Sequence, residues 1–200
     1  MSDPIVFYFD FSSPYSYLAS EKIDELAARY QRQVKWRPMM LGAAFKASGL
    51  PLLVTVPLKG EYSKRDFDRS ARYMGVPYRF PQPFPTLTLT AARGYYWLHE
   101  RDCALARRYA HAVFRAYWVD GRNIGENDVV ADIVAGLGEN ASDFGRAVGT
   151  PEIKDRLKRE TDAAIAAGMF GAPYFIVDGE PFWGADRLPQ IERWLATGGF

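Results

Sequence analysis

Ser12, Ser13 and Pro14 follow the apolar run PIVFYFDF and stand directly before a stretch with helical spacing. A serine there can accept from a first-turn N–H, with proline at the first helical position, where its missing N–H is no loss. The same place is electrically useful. A helix N-terminus carries about half a positive charge and favours an adjacent anion such as a thiolate, and a serine hydroxyl can donate to that sulfur without being oxidised. Ser13 is the leading candidate for such chemistry, with Ser12 beside it. Other points first read as structural. Ala172-Pro173 suits the start of a strand, since proline restricts the residue before it to extended geometry. Asp186 suits the N-cap of the last helix. Lys64, at the predicted start of a helix, opposes the helix dipole and reads as a solvated cation. Cys103 reads as a small packing residue, and His99 and His111 as structural or exposed.

The rest of the composition narrows the chemistry. One cysteine excludes an intrachain disulfide and a two-cysteine redox motif, and with only two histidines beside it a zinc or haem site lacks ligands, so no metal is expected. Twenty-five basic against 24 acidic residues leave a formal charge of +1, too little to attract a nucleic acid backbone or an anionic membrane. The start, MSDPIVFYFDF, has neither the basic region nor the small-residue cleavage site of a signal peptide, and no apolar run approaches membrane-spanning length. A cytoplasmic protein is expected.

The elements that must hold these residues can be read along the chain. Ile5, Phe7, Phe9 and Phe11 share one strand face and Val6 and Tyr8 the other, so both faces are apolar, as in a buried central strand, with Asp10 the one charge near its end. Ala19, Ile23, Leu26, Ala27 and Tyr30 then predict a helix, with Glu25 and Arg29 as an i,i+4 pair. QVKWRPMM returns to strand character, closing a βαβ unit within about 39 residues. Residues 41–85 are rich in glycine and proline, with one short helix predicted over 64–74. Two consecutive helices follow. Leu105, Tyr109, Val113 and Tyr117 form the core-facing stripe of the second. Helices are predicted over 127–136, 142–148 and 151–167, the last with Ile153, Leu157, Ala164 and Ile165 on one side. Strands over 174–177 and 181–183 are joined by Asp178-Gly179, which suits a tight hairpin. A final helix carries Leu188, Ile191, Trp194 and Leu195 and stops at Gly198.

That order, with FDFSSPYSYLA at the first turn, GAPYFIVDG before the hairpin and FWGADRLPQIERWL at the end, resembles the 2-hydroxychromene-2-carboxylate isomerases and their relatives, the kappa-class glutathione transferases. The resemblance spans nearly the whole chain. It implies an α/β fold: a thioredoxin-like βαβ…ββα sheet made of residues 1–39 and 170–200, with a large all-helical insertion over 40–169. It also implies glutathione as cofactor. Ser13 stands where the family's serine contacts the glutathione sulfur. Pro173 matches a cis proline, and Ala172 before it would pair its N–H and C=O with the cysteinyl backbone, as an added strand does. Trp183, Gly184, Ala185 and Asp186 fall at the γ-glutamyl end, Asp186 facing the amino group. Lys64 aligns with a lysine that reaches the glycyl end or an anionic substrate. Leu50 replaces a frequent asparagine, and Ala185 a hydroxyl residue or asparagine. Lys46 and Phe84 are substrate-pocket candidates by location.

The activity so implied is a glutathione-dependent cis-trans isomerisation of a small aromatic-derived acid, in which reversible addition of a thiolate turns an activated C=C bond into a rotatable one. A kappa-class-like transferase and a non-catalytic ligand binder are the alternatives; a thiol–disulfide oxidoreductase lacks its sulfurs. Relatives of this kind are homodimers. Tyr95, Tyr96 and Trp97 are consecutive, and Phe114, Tyr117 and Trp118 cluster, so the helical block is expected to offer aromatics both to the core and to a second subunit.

Overall fold

The computed structural model describes residues 3–200. The first strand, β1 (Ile5–Phe9), lies inside a four-stranded sheet. Its inward residues Ile5, Phe7 and Phe9 are fully buried. On one side it pairs in parallel with β2 (Val34–Pro38), on the other antiparallel with β3 (Tyr174–Val177), which continues into β4 (Glu180–Trp183), for a strand order β2-β1-β3-β4. Phe7 sits opposite both Trp36 and Phe175 in register, and its ring meets theirs at 5.0 and 5.1 Å. The two ends of the chain therefore share one sheet.

Between β1 and β2 the expected single helix is two: α1 (Pro14–Ser20) and α2 (Ile23–Arg29). The break has a local cause, because the Ser20 hydroxyl donates to the Tyr17 carbonyl at 2.7 Å and competes with the backbone ladder. Arg29 does not pair with Glu25; it reaches Glu192 on the C-terminal helix at 3.0 Å. The glycine- and proline-rich stretch holds more structure than its composition suggests. It forms α3 (Leu41–Ser48), a 3-10 turn (Leu53–Thr55) and α4 (Lys59–Met74). The last begins five residues before the predicted 64, which puts Lys64 in its second turn.

The helical block continues with α5 (Leu89–His99), α6 (Cys103–Trp118), α7 (Asn127–Gly136), α8 (Ala141–Ala147) and α9 (Pro151–Ala166). It shares one continuous core with the sheet, in which Phe9, Phe11, Tyr95, Phe114 and Trp118 are neighbours. Leu105, Tyr109, Val113 and Tyr117 are buried as their spacing required. The aromatic surplus is absorbed within the chain. The Tyr95 and Tyr96 hydroxyls donate to the Trp36 and Pro38 carbonyls at 3.1 and 2.7 Å, the Trp118 indole donates to the Phe11 carbonyl at 2.9 Å, and Trp97 packs on Phe144 under the Arg101 guanidinium. Buried aromatics with a polar tip need such partners. Of the aromatics named above, only Trp97 stays partly exposed. The expectation for Cys103 is corrected: it is exposed rather than packed, at the first position of α6, with its sulfur 3.6 Å from His99 Nε2.

After the hairpin, Ala185–Arg187 form a 3-10 turn and α10 (Leu188–Thr197) closes the chain. Asp186 is not its N-cap: that position is Arg187, with no side-chain cap bond. Among the described residues no helix is long and apolar enough to cross a membrane.

Candidate active site

The turn after β1 is built by its own residues. The Ser13 N–H donates to the Asp10 carbonyl at 3.0 Å, and the Ser12 N–H to the Asp10 carboxylate at 2.8 Å. Ser13 then takes extended geometry (φ −84°, ψ 119°) and caps α1, its hydroxyl accepting from the Ser16 N–H at 3.2 Å, with Pro14 next. The same hydroxyl donates to the Ala172 carbonyl at 3.0 Å. Ser13 is thus buried, yet it is among the residues that line a cleft.

The second wall comes from the far end of the chain. Ala172-Pro173 is a cis peptide, and the Pro173 carbonyl accepts from the Gly184 N–H at 3.0 Å, which brings the strap at Trp183, Gly184, Ala185 and Asp186 alongside. Two glycines permit this approach. A Cβ on Gly171 would lie 2.6 Å from the Trp183 indole nitrogen, and Gly184 adopts φ +111°, with a Cβ there 2.3 Å from the Asp186 carboxylate. Among the described residues the amides of Ala172, Ala185 and Asp186 make no turn or loop bond to a backbone carbonyl. Asp186 is exposed, and Arg187 pairs with it at 3.3 Å.

The cleft between these walls has a volume of about 1430 Å³, more than the roughly 300–1,000 Å³ of a usual single-ligand pocket. Beyond Ser13 it is lined by Leu41 and Phe45 of α3, by Leu50, Leu52 and Val54, and by Phe84 and Leu87. Phe84 is a true wall residue, its ring held against Phe80 at 4.9 Å and Trp118 at 5.8 Å. Lys64 lies on the rim and is tied to Glu61 at 2.7 Å. Lys46 is not brought to the site. It is exposed on α3 and outside the cleft lining, because the helix turns Leu41 and Phe45 inward and leaves that position to solvent.

Two features escaped the sequence reading. Asp10 is 6% exposed and lines the cleft floor; burial pushes its carboxyl pKa up, although the Ser12 and Leu41 amides and the Thr88 hydroxyl all favour its ionised form. Its signal was its oddity, the one charge on a strand apolar on both faces. Ser16 is the other. Ser13-Pro14-Tyr15-Ser16 has Cys-X-X-Cys spacing with a hydroxyl in place of each thiol, and the Ser16 hydroxyl is buried without a partner.

Residues 4–196 match the family model of the DsbA-like thioredoxin domain. A 2-hydroxychromene-2-carboxylate isomerase of Pseudomonas putida is 31% identical over 93% of this chain and 91% of its own length. The chain belongs to the DsbA-like thioredoxin family, alongside the 2-hydroxychromene-2-carboxylate isomerases. A glutathione S-transferase kappa 2 of Caenorhabditis elegans is 29% identical, over 96% of this chain and 91% of that protein. In structure, a 2-hydroxychromene-2-carboxylate isomerase superposes with a TM-score of 0.87 at 30% identity, covering 96% of this chain and 94% of the other. Within the DsbA-like family, then, this member has kept the turn and the helix end but has hydroxyls where disulfide exchange needs sulfurs.

Proposed function

We propose that this chain is a glutathione-dependent cis-trans isomerase acting on an unsaturated acid derived from an aromatic compound. The observation that carries the reading is the Ser13 hydroxyl at the positive end of α1, bonded at 3.0 Å to the Ala172 carbonyl and lining with Ala172 a cleft too large for one small ligand. The residues fit the tripeptide: Ala172 offers one strand-like amide, Ala185 and Asp186 offer two amides to a carboxylate, and the Asp186 carboxylate suits an amino group. Glutathione bound there would supply a thiolate that adds reversibly to an activated C=C bond.

What the chain contributes can be followed at Ser13. Its hydroxyl has one hydrogen to give, and in the structure the Ala172 carbonyl receives it. Donation to an anion in the cleft requires that this carbonyl take another donor, such as a peptide N–H laid along the strand. Occupying the backbone site and releasing the hydroxyl are therefore one exchange. The apolar walls from Leu41 to Leu87 exclude water from the reacting atoms and hold a flat substrate. Lys64 would meet the substrate's or the tripeptide's carboxylate only by sharing itself with Glu61.

The kappa relative favours a second reading, a transferase releasing a glutathione conjugate. Mass spectrometry of the product decides between them: isomerisation leaves the substrate mass unchanged, whereas transfer adds the tripeptide. The reading further places the enzyme in the cytoplasm, where glutathione is held reduced, and as a homodimer, which light scattering tests at twice the 22.6 kDa chain mass.

A further inference from the structure

We propose that Asp10 is the positioning residue of this site, its carboxylate fixing the turn that carries Ser13 and tying that turn to the two walls that hold the second substrate. The argument begins with burial. A carboxylate with 6% exposure is costly unless its lone pairs are all used, and here each oxygen has a separate task. Oδ1 accepts the Ser12 N–H at 2.8 Å, an Asx turn two residues long, while the Asp10 carbonyl accepts the Ser13 N–H at 3.0 Å. These two bonds leave Ser13 little freedom relative to β1. Oδ2 faces the other way. It accepts the Leu41 N–H at 3.1 Å, at the first position of α3, and the Thr88 hydroxyl at 3.3 Å, immediately before α5.

Leu41 and Thr88 both line the cleft. One side chain thus joins the thiol-binding turn to segments 31 and 78 positions away. Ser12 adds a parallel link, its hydroxyl accepting from the Thr86 N–H at 3.1 Å. Burial raises the Asp10 pKa in spite of its donors, the mark of a group held in place against its own solvation preference. Asp10 touches no reacting atom in this account; it sets the distance between Ser13 and the substrate walls.

An amide separates the two tasks, because it has one acceptor oxygen and can serve one side of the tie only. Asp10→Asn is expected to keep the Asx turn, which asparagine forms as readily as aspartate, and to present N–H groups to the Leu41 N–H. Amide hydrogen exchange on the full chain without added glutathione reads this directly. The expected result is exchange at Leu41 faster by about tenfold, the loss of roughly one hydrogen bond, with Ser12 changed by less than about twofold. The functional half rests on the glutathione-dependent isomerase reading: with 2-hydroxychromene-2-carboxylate, the substrate in the isomerase relative's name, as the electrophile, its KM should rise about tenfold while the glutathione Kd stays within about twofold. Thr88→Val, which removes only the hydroxyl reaching Oδ2, should give the same KM-against-Kd split at smaller size and decides the matter should Asp10→Asn not fold. Unchanged Leu41 protection in Asp10→Asn, or a weakened glutathione Kd with the electrophile KM unmoved, overturns the proposal. A wild-type chain that fails to bind glutathione overturns the cofactor reading instead, and the exchange result still stands on its own.

Discussion

The Ser13 hydroxyl and the Ala172 carbonyl, 159 positions apart in sequence, meet at 3.0 Å across the floor of the cleft. That contact joins the helix end that favours an anion to the residue before the cis Pro173, the backbone position proposed to hold the peptide. Ser13→Ala removes the hydroxyl and the cap together. Glutathione-dependent turnover is expected to fall at least about 100-fold, as when one anion-stabilising donor is lost. Folding stability should fall by about 1 kcal/mol from the cap. Ser13→Thr, which retains the hydroxyl, should recover most of the stability. Steady-state rates and denaturant melts of the two variants check this.

Gly184 holds the strap at φ +111°, and its missing side chain leaves room for Asp186. Gly184→Ala would press a methyl group against that carboxylate and displace it from the place proposed for the glutathione amino group. Calorimetry is expected to show glutathione affinity about tenfold weaker, the worth of one charge-assisted hydrogen bond, with stability lowered as well by about 1–3 kcal/mol, because alanine is strained at that φ.

A different glycine tests the helical block. At Gly94 a Cβ would lie 2.5 Å from the Tyr109 hydroxyl and 2.7 Å from the Phe144 ring, so α5 packs here with nothing to spare. Tyr109 cannot yield easily, since its hydroxyl donates to the Ala91 carbonyl at 3.0 Å inside the core. Gly94→Ala is expected to cost about 1–3 kcal/mol by overpacking, read as a shift in the urea midpoint.

His111 supplies a pH dependence away from the cleft. Burial works against its protonation, but the carboxylates of Asp24 and Glu21, at 3.6 and 3.7 Å, outweigh that and raise its pKa from 6.5 to about 9. A histidine raised in the folded state adds stability that is fully present below pH 6.5 and is lost as pH rises through about 9. The thermal midpoint should therefore fall across that window in the wild type, and the fall should be shallower in His111→Gln.

Much of this architecture was legible because local chemistry and tertiary demand agree. Asp178 and Gly179 both take positive φ, +54° and +87°, as a primed hairpin turn needs, and the predicted helix over 127–136 is α7. The start of α4 was not legible. Pro57 and Gly60 look like breakers, yet Gly60 is required because a Cβ there would lie 2.5 Å from the Val54 carbonyl oxygen, a contact no local pattern announces. The site divides in the same way. Ser13, Ala172 and the strap at Trp183 could be placed from motifs that each lie within a few residues. Asp10 could not, since its role exists only where Leu41 and Thr88 arrive from elsewhere in the chain. Lys46 was misplaced for the converse reason: nearness in sequence to the cleft said nothing about which side of α3 would face it.

The central claim is that this turn holds a glutathione thiolate. It is tested most directly by titrating glutathione into the wild-type chain while following thiolate absorbance against pH. Saturable binding below millimolar concentration is expected, with the bound thiol titrating at least about one pH unit below the ordinary thiol value near 8.5, and with that shift abolished in Ser13→Ala. Absence of saturation at millimolar glutathione, or a bound thiol that titrates at its ordinary value in the wild type, would contradict the account.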